Sequence, residues 1–322
     1  MNAQRALLDA RRWHFQHGPI DIVAEADGEP RAVARAHEAA WARFRSVLDE
    51  LVRQLHLLRQ PVGEVNRLQG PIARRMWRAC SPYSGGFITP MAAVAGSVAQ
   101  ELVACYDLPG VERAWINNGG DIALHLAPGA SVRIGLLADL ARFDPAAARL
   151  PELDGSFEID ASMPVRGVAT SGWRGRSFSL GIADSATVLA ASAADADAAA
   201  TVIGNAVDVQ DQAIDRRPAN ECKDDSDLGS RLVTVAVGAL SEAQVQRALE
   251  AGAARARAMQ AAGLIAAAVL VCQGRARVLQ PLCCARDRAG IERQGADAEA
   301  ARRPPCVVQV PRGDPPVGSV FA

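Results

Sequence analysis

Asp197, Thr201 and Asn205 follow one another at steps of four within an alanine-rich stretch. On a helix that spacing stacks a carboxylate, a hydroxyl and an amide along one face. Oxygen donors of this kind suit Mg²⁺, which is held by one or two carboxylates and completes its shell with substrate phosphates. The alternative is a solvated helix face. Asp195 needs neither reading, because Ser192-Ala193-Ala194-Asp195 has the form of a capping box at the start of the same helix. Asp184, Asp225 and Asp227 are secondary acidic candidates, each also explained as a turn or capping residue.

Ser84-Gly85-Gly86 leads through Phe87 and Ile88 to Thr89, a good N-cap type, with Pro90 at the first helical position. A helix starting there, lined by Ala92, Ala93, Ala95, Gly96 and Ala99, offers free N–H groups to a phosphate or packs closely on a neighbour. Asn117-Asn118-Gly119-Gly120-Asp121 lies between two apolar runs and predicts a hairpin turn with positive φ. Its paired glycines also allow an anion-binding nest of backbone N–H groups, with Asp121 beside a hydroxyl or metal at the rim. Val168-Ala169-Thr170-Ser171-Gly172 ends a strand in a hydroxyl-rich turn. Arg174, Arg176, Ser177 and Ser179 beyond it are donors of the type that bind phosphate oxygens, although an ordinary polar loop has the same composition.

In this order, the segments 88–96, 116–122 and 170–172, the last leading to Ala196-Asp197-Ala198-Ala199-Ala200-Thr201, resemble the ApbE-like superfamily of flavin-handling proteins. His17-Gly18-Pro19-Ile20-Asp21 and the run from Asp225 to Gly229 make the chain most similar to the UPF0280 branch, over residues 11–280. The resemblance implies an ApbE-like fold with FAD and Mg²⁺ as ligands. In that superfamily the Asn-Gly-Gly-Asp loop lies beside the flavin dinucleotide and the Thr-Ser-Gly turn lies in the active site. An Asp and a Thr at this spacing hold the metal that bridges the flavin pyrophosphate. Carried over, Asp197, Thr201 and Thr170 are catalytic, with Asp197 and Thr201 the metal ligands. Thr89, Asn118, Gly119, Gly120, Asp121, Ser171, Gly172 and Arg176 are cofactor-binding. Flavin transferases also place a Lys near the start of the matching helix and a His-Ile-Ile-Asp-Pro-like segment after the turn. This chain has no Lys there, residues 177–184 stand in place of that segment, and no His follows His125.

The resemblance thus supports a Mg²⁺-dependent enzyme that cleaves the FAD pyrophosphate or transfers FMN to an acceptor protein. The missing His and Lys permit, as the alternative, a non-catalytic flavin or nucleotide carrier or subunit, and after it an enzyme for another small anionic metabolite. No G-x-S-x-G elbow, H-E-x-x-H, Walker loop or G-x-G-x-x-G after a strand is present. His17 and His125 adjoin strands and read as packed or surface residues rather than bases.

The elements that must position these residues are legible in outline. The chain of 322 residues is 49% hydrophobic and 22% charged, long enough for one large domain or two small ones with a sizeable core. Its 35 basic and 36 acidic residues give a net charge of -1, which disfavours nucleic acid and anionic membranes as partners. Arg in place of Lys, with Lys223 alone, and abundant Ala suggest a GC-rich bacterial genome. Seven Cys without a C-x-x-C pair argue against disulfides and structural zinc. The first 17 residues lack an apolar signal segment, and the apolar run 263–272 is half of the roughly 20 residues a membrane helix needs. A cytoplasmic protein is expected, with a homo-oligomer open.

A first strand over residues 13–25 and a long helix over 32–60 are expected, the latter with apolar residues at three- and four-residue steps. Arg74-Arg75-Met76-Trp77-Arg78 suggests a short solvated helix, 241–262 an amphipathic helix, and 264–271 a buried strand. The order predicts an α+β fold with mixed β-sheets flanked by helices. An ApbE-like domain of residues 1–280 is followed by a disordered tail, 281–322, where proline and scattered arginine replace periodicity.

Overall fold

A computed structural model describes residues 2–136, 155–224, 226–281 and 319–321. The architecture is α+β. Nine strands form one sheet: β1 (Gln4–Leu7), β2 (Arg12–His17), β3 (Ile20–Gly28), β4 (Val111–Asn118), β5 (Asp121–Leu126), β8 (Gly167–Ser171), β9 (Ser185–Ala190), β12 (Ala267–Cys272) and β13 (Arg275–Leu279), in that spatial order. Every neighbouring pair in it is antiparallel. β6 (Ser131–Leu136) and β7 (Gly155–Asp160) form a second, smaller sheet, joined by β14 (Ser319–Phe321) in the parallel sense. β10 (Ile214–Pro218) and β11 (Leu232–Val237) pair separately. The mixed character expected from sequence therefore belongs to the small sheet alone.

Helices cover one face of the large sheet. α1 (Pro30–Val52) starts with Pro30, whose missing N–H costs nothing in the first turn, and buries Ala32, Ala36, Ala40, Phe44, Val47 and Leu51. It ends earlier than its periodicity suggested, and α2 (Leu55–Leu58) follows. α3 (Pro71–Cys80) carries the expected basic segment, but it is not a solvated helix: Ile72, Ala73, Met76, Ala79 and Cys80 are buried. With α4 (Val94–Val103) these helices pack over β2 to β5. α5 (Ala193–Ala206) and α7 (Glu242–Ala261) pack over β8, β9 and β12, while α6 (Ala219–Cys222) lies in the β10–β11 connection. The opposite face of the large sheet, with Trp115, Ile122, Leu124, Val168 and Leu189, packs on the small sheet through Val132, Ile134, Phe157 and Ile159.

The expected first strand is two strands. Gly18 takes φ +57 and turns β2 into β3. β12 begins three residues later than expected and returns through Gln273 and Gly274, both at positive φ, as a tight hairpin requires. Most of the expected tail, 282–318, falls outside the described residues. Residues 319–321 pair with β6 through Ser319↔Arg133, Val320↔Ile134 and Phe321↔Gly135. Among the described residues no helix is long and apolar enough to cross a membrane.

Candidate functional site

Small residues decide how closely α5 can approach its neighbours. Its buried positions are Ala193, Ala194, Ala196, Ala198, Ala199, Ala200, Ile203 and Gly204, so the helix sinks against both the sheet and α4. A Cβ on Gly96 would lie 2.2 Å from the Ala193 carbonyl oxygen, and one on Gly167 would lie 2.2 Å from the Ala193 nitrogen. Only glycine lets α4 and β8 come this near to the start of α5. The result places the α4 N-terminus over the first turns of α5.

That approach brings Asp121 and Asp197 together. β5 alternates Ile122 and Leu124 onto the small-sheet side, so Asp121 points to the helix side. There its carboxyl is hydrogen-bonded to that of Asp197. The Thr170 N–H donates to Asp121 Oδ1 at 3.2 Å, and the Gly96 N–H donates to Asp197 Oδ2 at 2.9 Å. The Ala95 N–H also binds Asp197. Neither carboxyl has a basic partner among the described residues.

Both carboxyls are consequently hard to ionise. Burial raises Asp121 far above the usual carboxylate range, and the charge of Asp197 raises it further. Burial also pushes Asp197 up to about 7, opposed by the Gly96 and Ala95 N–H groups and the bond from Asp121. Two acids in contact share a proton, which belongs to the pair rather than to either residue. A pair without a basic partner has the charge to hold a small divalent cation in place of that proton. Among the described residues no group of three or more His, Cys, Asp or Glu could hold a metal. Further positions would fall to hydroxyls, water and ligand oxygens.

The other expected residues divide. Thr201, one turn after Asp197, is half-buried on the same helix. Asn205 has a structural task, its Oδ1 accepting from the Leu180 N–H at 2.8 Å and from Ser179 Oγ at 3.2 Å. Thr170 reaches the pair only through its N–H. Its side chain follows Val168 onto the other face and meets Thr187 Oγ1 at 2.9 Å, so the neighbouring Ser171 faces α5. Gly172 allows close passage of the 183–184 backbone, because a Cβ there would lie 2.4 Å from the Asp184 carbonyl oxygen. Asp184 is occupied, accepting from Trp173 Nε1, Arg174 Nε and the Gln273 N–H.

Gly119 and Gly120 take φ +67 and +112 in the expected hairpin, and the Gly120 N–H donates to Asn117 Oδ1 at 2.8 Å. Asn118 is buried and ties the turn to α4 through Nδ2 to the Ala95 carbonyl, 3.1 Å. Exposed Arg176 lies over Gly119 and donates from Nη2 to the Pro19 carbonyl at 3.1 Å. Thr89 does not cap a helix with its side chain. Pro90–Ala93 form a 3₁₀ turn, α4 starts at Val94, and the Ala95 and Gly96 N–H groups that a phosphate would use are held by Asp197. Cavities of about 330 and 300 Å³ lie elsewhere, one between β2 and α1, the other between residues 57–68, Trp77 and Pro90.

A family model described as "AbpE bacteria" matches residues 4–278. The UPF0280 protein of Methanopyrus kandleri is 36% identical over 211 residues, 63% of this chain and 80% of that protein. The chain belongs to the UPF0280, ApbE-like family. Its UPF0280 relative in Methanospirillum hungatei is 36% identical over 203 residues, 62% of this chain and 77% of the relative. The relative in Methanothrix thermoacetophila is 38% identical over 138 residues, 42% of this chain, and the match spans about half of that protein, 52%. Similar solved structures include the apo flavinyl transferase ApbE of Pseudomonas stutzeri, 12% identical with a TM-score of 0.46, covering 87% of this chain and 96% of that one. The ApbE protein of Thermotoga maritima is also 12% identical, with a TM-score of 0.40 over 86% and 96%.

Two features of this UPF0280 chain had no clear sequence signal. One is the direct contact of Asp121 with Asp197: the motifs place both at one pocket, but side-by-side contact depends on Gly96 and Gly167. The other is Asp227, which accepts a hydrogen bond from the Thr89 hydroxyl 138 residues away. The Asp225 to Gly229 run pointed to the segment but not to its partner, and Asp225 lies outside the described residues.

Proposed function

We propose that this protein binds FAD through its pyrophosphate at the Asp121–Asp197 pair, with Mg²⁺, and cleaves that pyrophosphate or transfers FMN. The observation that carries the reading is the pair itself, the buried carboxyl of Asp121 in contact with the half-buried one of Asp197, with no basic partner. Asp197 and Asp121 would hold the ion, with the Thr201 hydroxyl beside them. When bound, the ion would neutralise charge on the phosphates. The Gly119–Gly120 turn adjoins Asp121, and the exposed guanidinium of Arg176 over Gly119 is a donor of the kind that suits phosphate oxygens. Ser171 adds a hydroxyl on the α5 side. The transferase form needs an acceptor protein, the hydrolytic form only water. We place the protein in the cytoplasm, without nucleic-acid or membrane partners.

A carrier reading is favoured by a different observation. His14 is bonded to Asp21, His37 to Tyr106 and His125 to the Val111 carbonyl, so none of these three serves the pair as a base. Incubation of the protein with FAD and Mg²⁺ separates the readings. Release of AMP supports the enzyme, and FAD retention without AMP supports the carrier. Absence of both binding and AMP rejects the flavin assignment.

A further inference from the structure

We propose that Asp227 is a positioning residue for the acidic pair, acting through Thr89 and the N-terminus of α4. Thr89 is 2% exposed, so its hydroxyl must find a partner inside the protein. It does not turn back to cap the following turn; the Ala92 N–H is taken by the Thr89 carbonyl at 3.1 Å, and the hydroxyl donates to Asp227 Oδ2. Asp227 belongs to the long connection between β10 and β11. A second contact joins the same two segments, because the Arg231 guanidinium lies 3.3 Å from the centre of the Phe87 ring.

The connection is itself well held. The Ala219 N–H bonds the Arg231 carbonyl and the Asn220 N–H the Gly229 carbonyl, both at 2.9 Å, and Gly229 turns the chain at φ +58. Its base is tied down by the Thr234 N–H on the Ser179 carbonyl, 2.9 Å. Asp227 and Arg231 therefore grip residues 87–89 from a fixed support. Five residues after Thr89, α4 begins, and its Ala95 and Gly96 N–H groups hold Asp197. Between them the 3₁₀ turn Pro90–Ala93 has Pro90 and Ala93 buried, which leaves little slack. Fixing Thr89 thus fixes the two donors that orient Asp197 and, through it, Asp121. A hydrogen bond to a charged acceptor is strong enough to do this.

The test reads the α4 N-terminus directly, by amide hydrogen exchange at Ala95 and Gly96 in the full chain. Asp227→Ala and Thr89→Val should each speed exchange there about tenfold, the factor for loss of a single charge-assisted bond. The double variant should be no faster than either single one, because the two residues act as a unit. Asp227→Asn and Thr89→Ser keep an acceptor and a donor and should recover most of the protection. They also carry the test if the larger changes prevent folding. Additive effects, or unchanged exchange in Asp227→Ala, would overturn the proposal. The ligand arm rests on the flavin reading: Asp227→Ala should also weaken Mg²⁺-dependent FAD binding about tenfold. If wild type fails to bind FAD, that reading falls while the exchange result still decides the role of Asp227.

Discussion

Replacing Gly96 by Ala should reverse the usual effect of that substitution. In a helix, Ala is favoured over Gly by about 1 kcal/mol. At Gly96 the added Cβ would lie 2.2 Å from the Ala193 carbonyl oxygen, 2.7 Å from its carbon and 2.9 Å from Asp197 Cβ. Two of these atoms are backbone and cannot swing aside, so α4 must move away from α5. Overpacking of that kind costs about 1–3 kcal/mol. The movement also stretches the 2.9 Å bond from the Gly96 N–H to Asp197, and a bond to a charged group contributes about 1.5–3 kcal/mol. Set against the propensity gain, the net loss is about 1.5–5 kcal/mol. Gly204 of α5 is the control, since a Cβ there meets Ala186 Cβ, Ser171 Cβ and Ser171 Oγ at an ordinary 3.7 Å. Gly204→Ala should gain up to about 1 kcal/mol. Urea denaturation of both variants beside wild type measures the difference. A Gly96→Ala protein as stable as wild type, or a Gly204→Ala protein weakened to the same extent, would refute the packing argument.

Other expectations follow from the same geometry. Because the pair binds its proton more tightly folded than unfolded, its contribution is complete below about pH 4 and is lost as pH rises through the folded value, about 7 for Asp197. Apo stability from this source should fall by about 1.4 kcal/mol per pH unit per group between those limits. Asp121→Asn, whose amide still donates to Asp197, should lose about half of the slope; urea melts at pH 5 and pH 8 with parallel profiles for both proteins would contradict this. Thr170→Val should leave FAD affinity within about twofold, whereas Ser171→Ala should weaken it about fivefold, measured by fluorescence titration. Arg176→Ala should change stability by no more than about 0.5 kcal/mol, since the side chain is exposed, yet weaken FAD binding about tenfold.

The site was legible in sequence wherever a local rule controls the backbone. Ser192 accepts from the Asp195 N–H at 3.2 Å, as the capping pattern required, and the Asn-Gly-Gly-Asp segment is a hairpin with both glycines at positive φ. Long-range geometry was less visible. Thr89 looks like a cap, but its hydroxyl is drawn to Asp227, and nothing within four residues of either one signals the other. Thr170 and Ser171 are equivalent in composition; strand alternation, with Val168 on the small-sheet side, decides that Ser171 faces α5. The basic composition of residues 74–78 concealed a helix whose other face is fully buried. In each case the missing information was which face a neighbouring element would cover.

The central claim is that Asp121 and Asp197 form the Mg²⁺ and pyrophosphate site. It is tested most directly by calorimetric titration of FAD into wild type and Asp197→Asn, each with and without Mg²⁺. Binding should be strong only for wild type with Mg²⁺, because only there can the charges of the pair and of the pyrophosphate be neutralised together. Equal affinity in all four titrations would contradict the account.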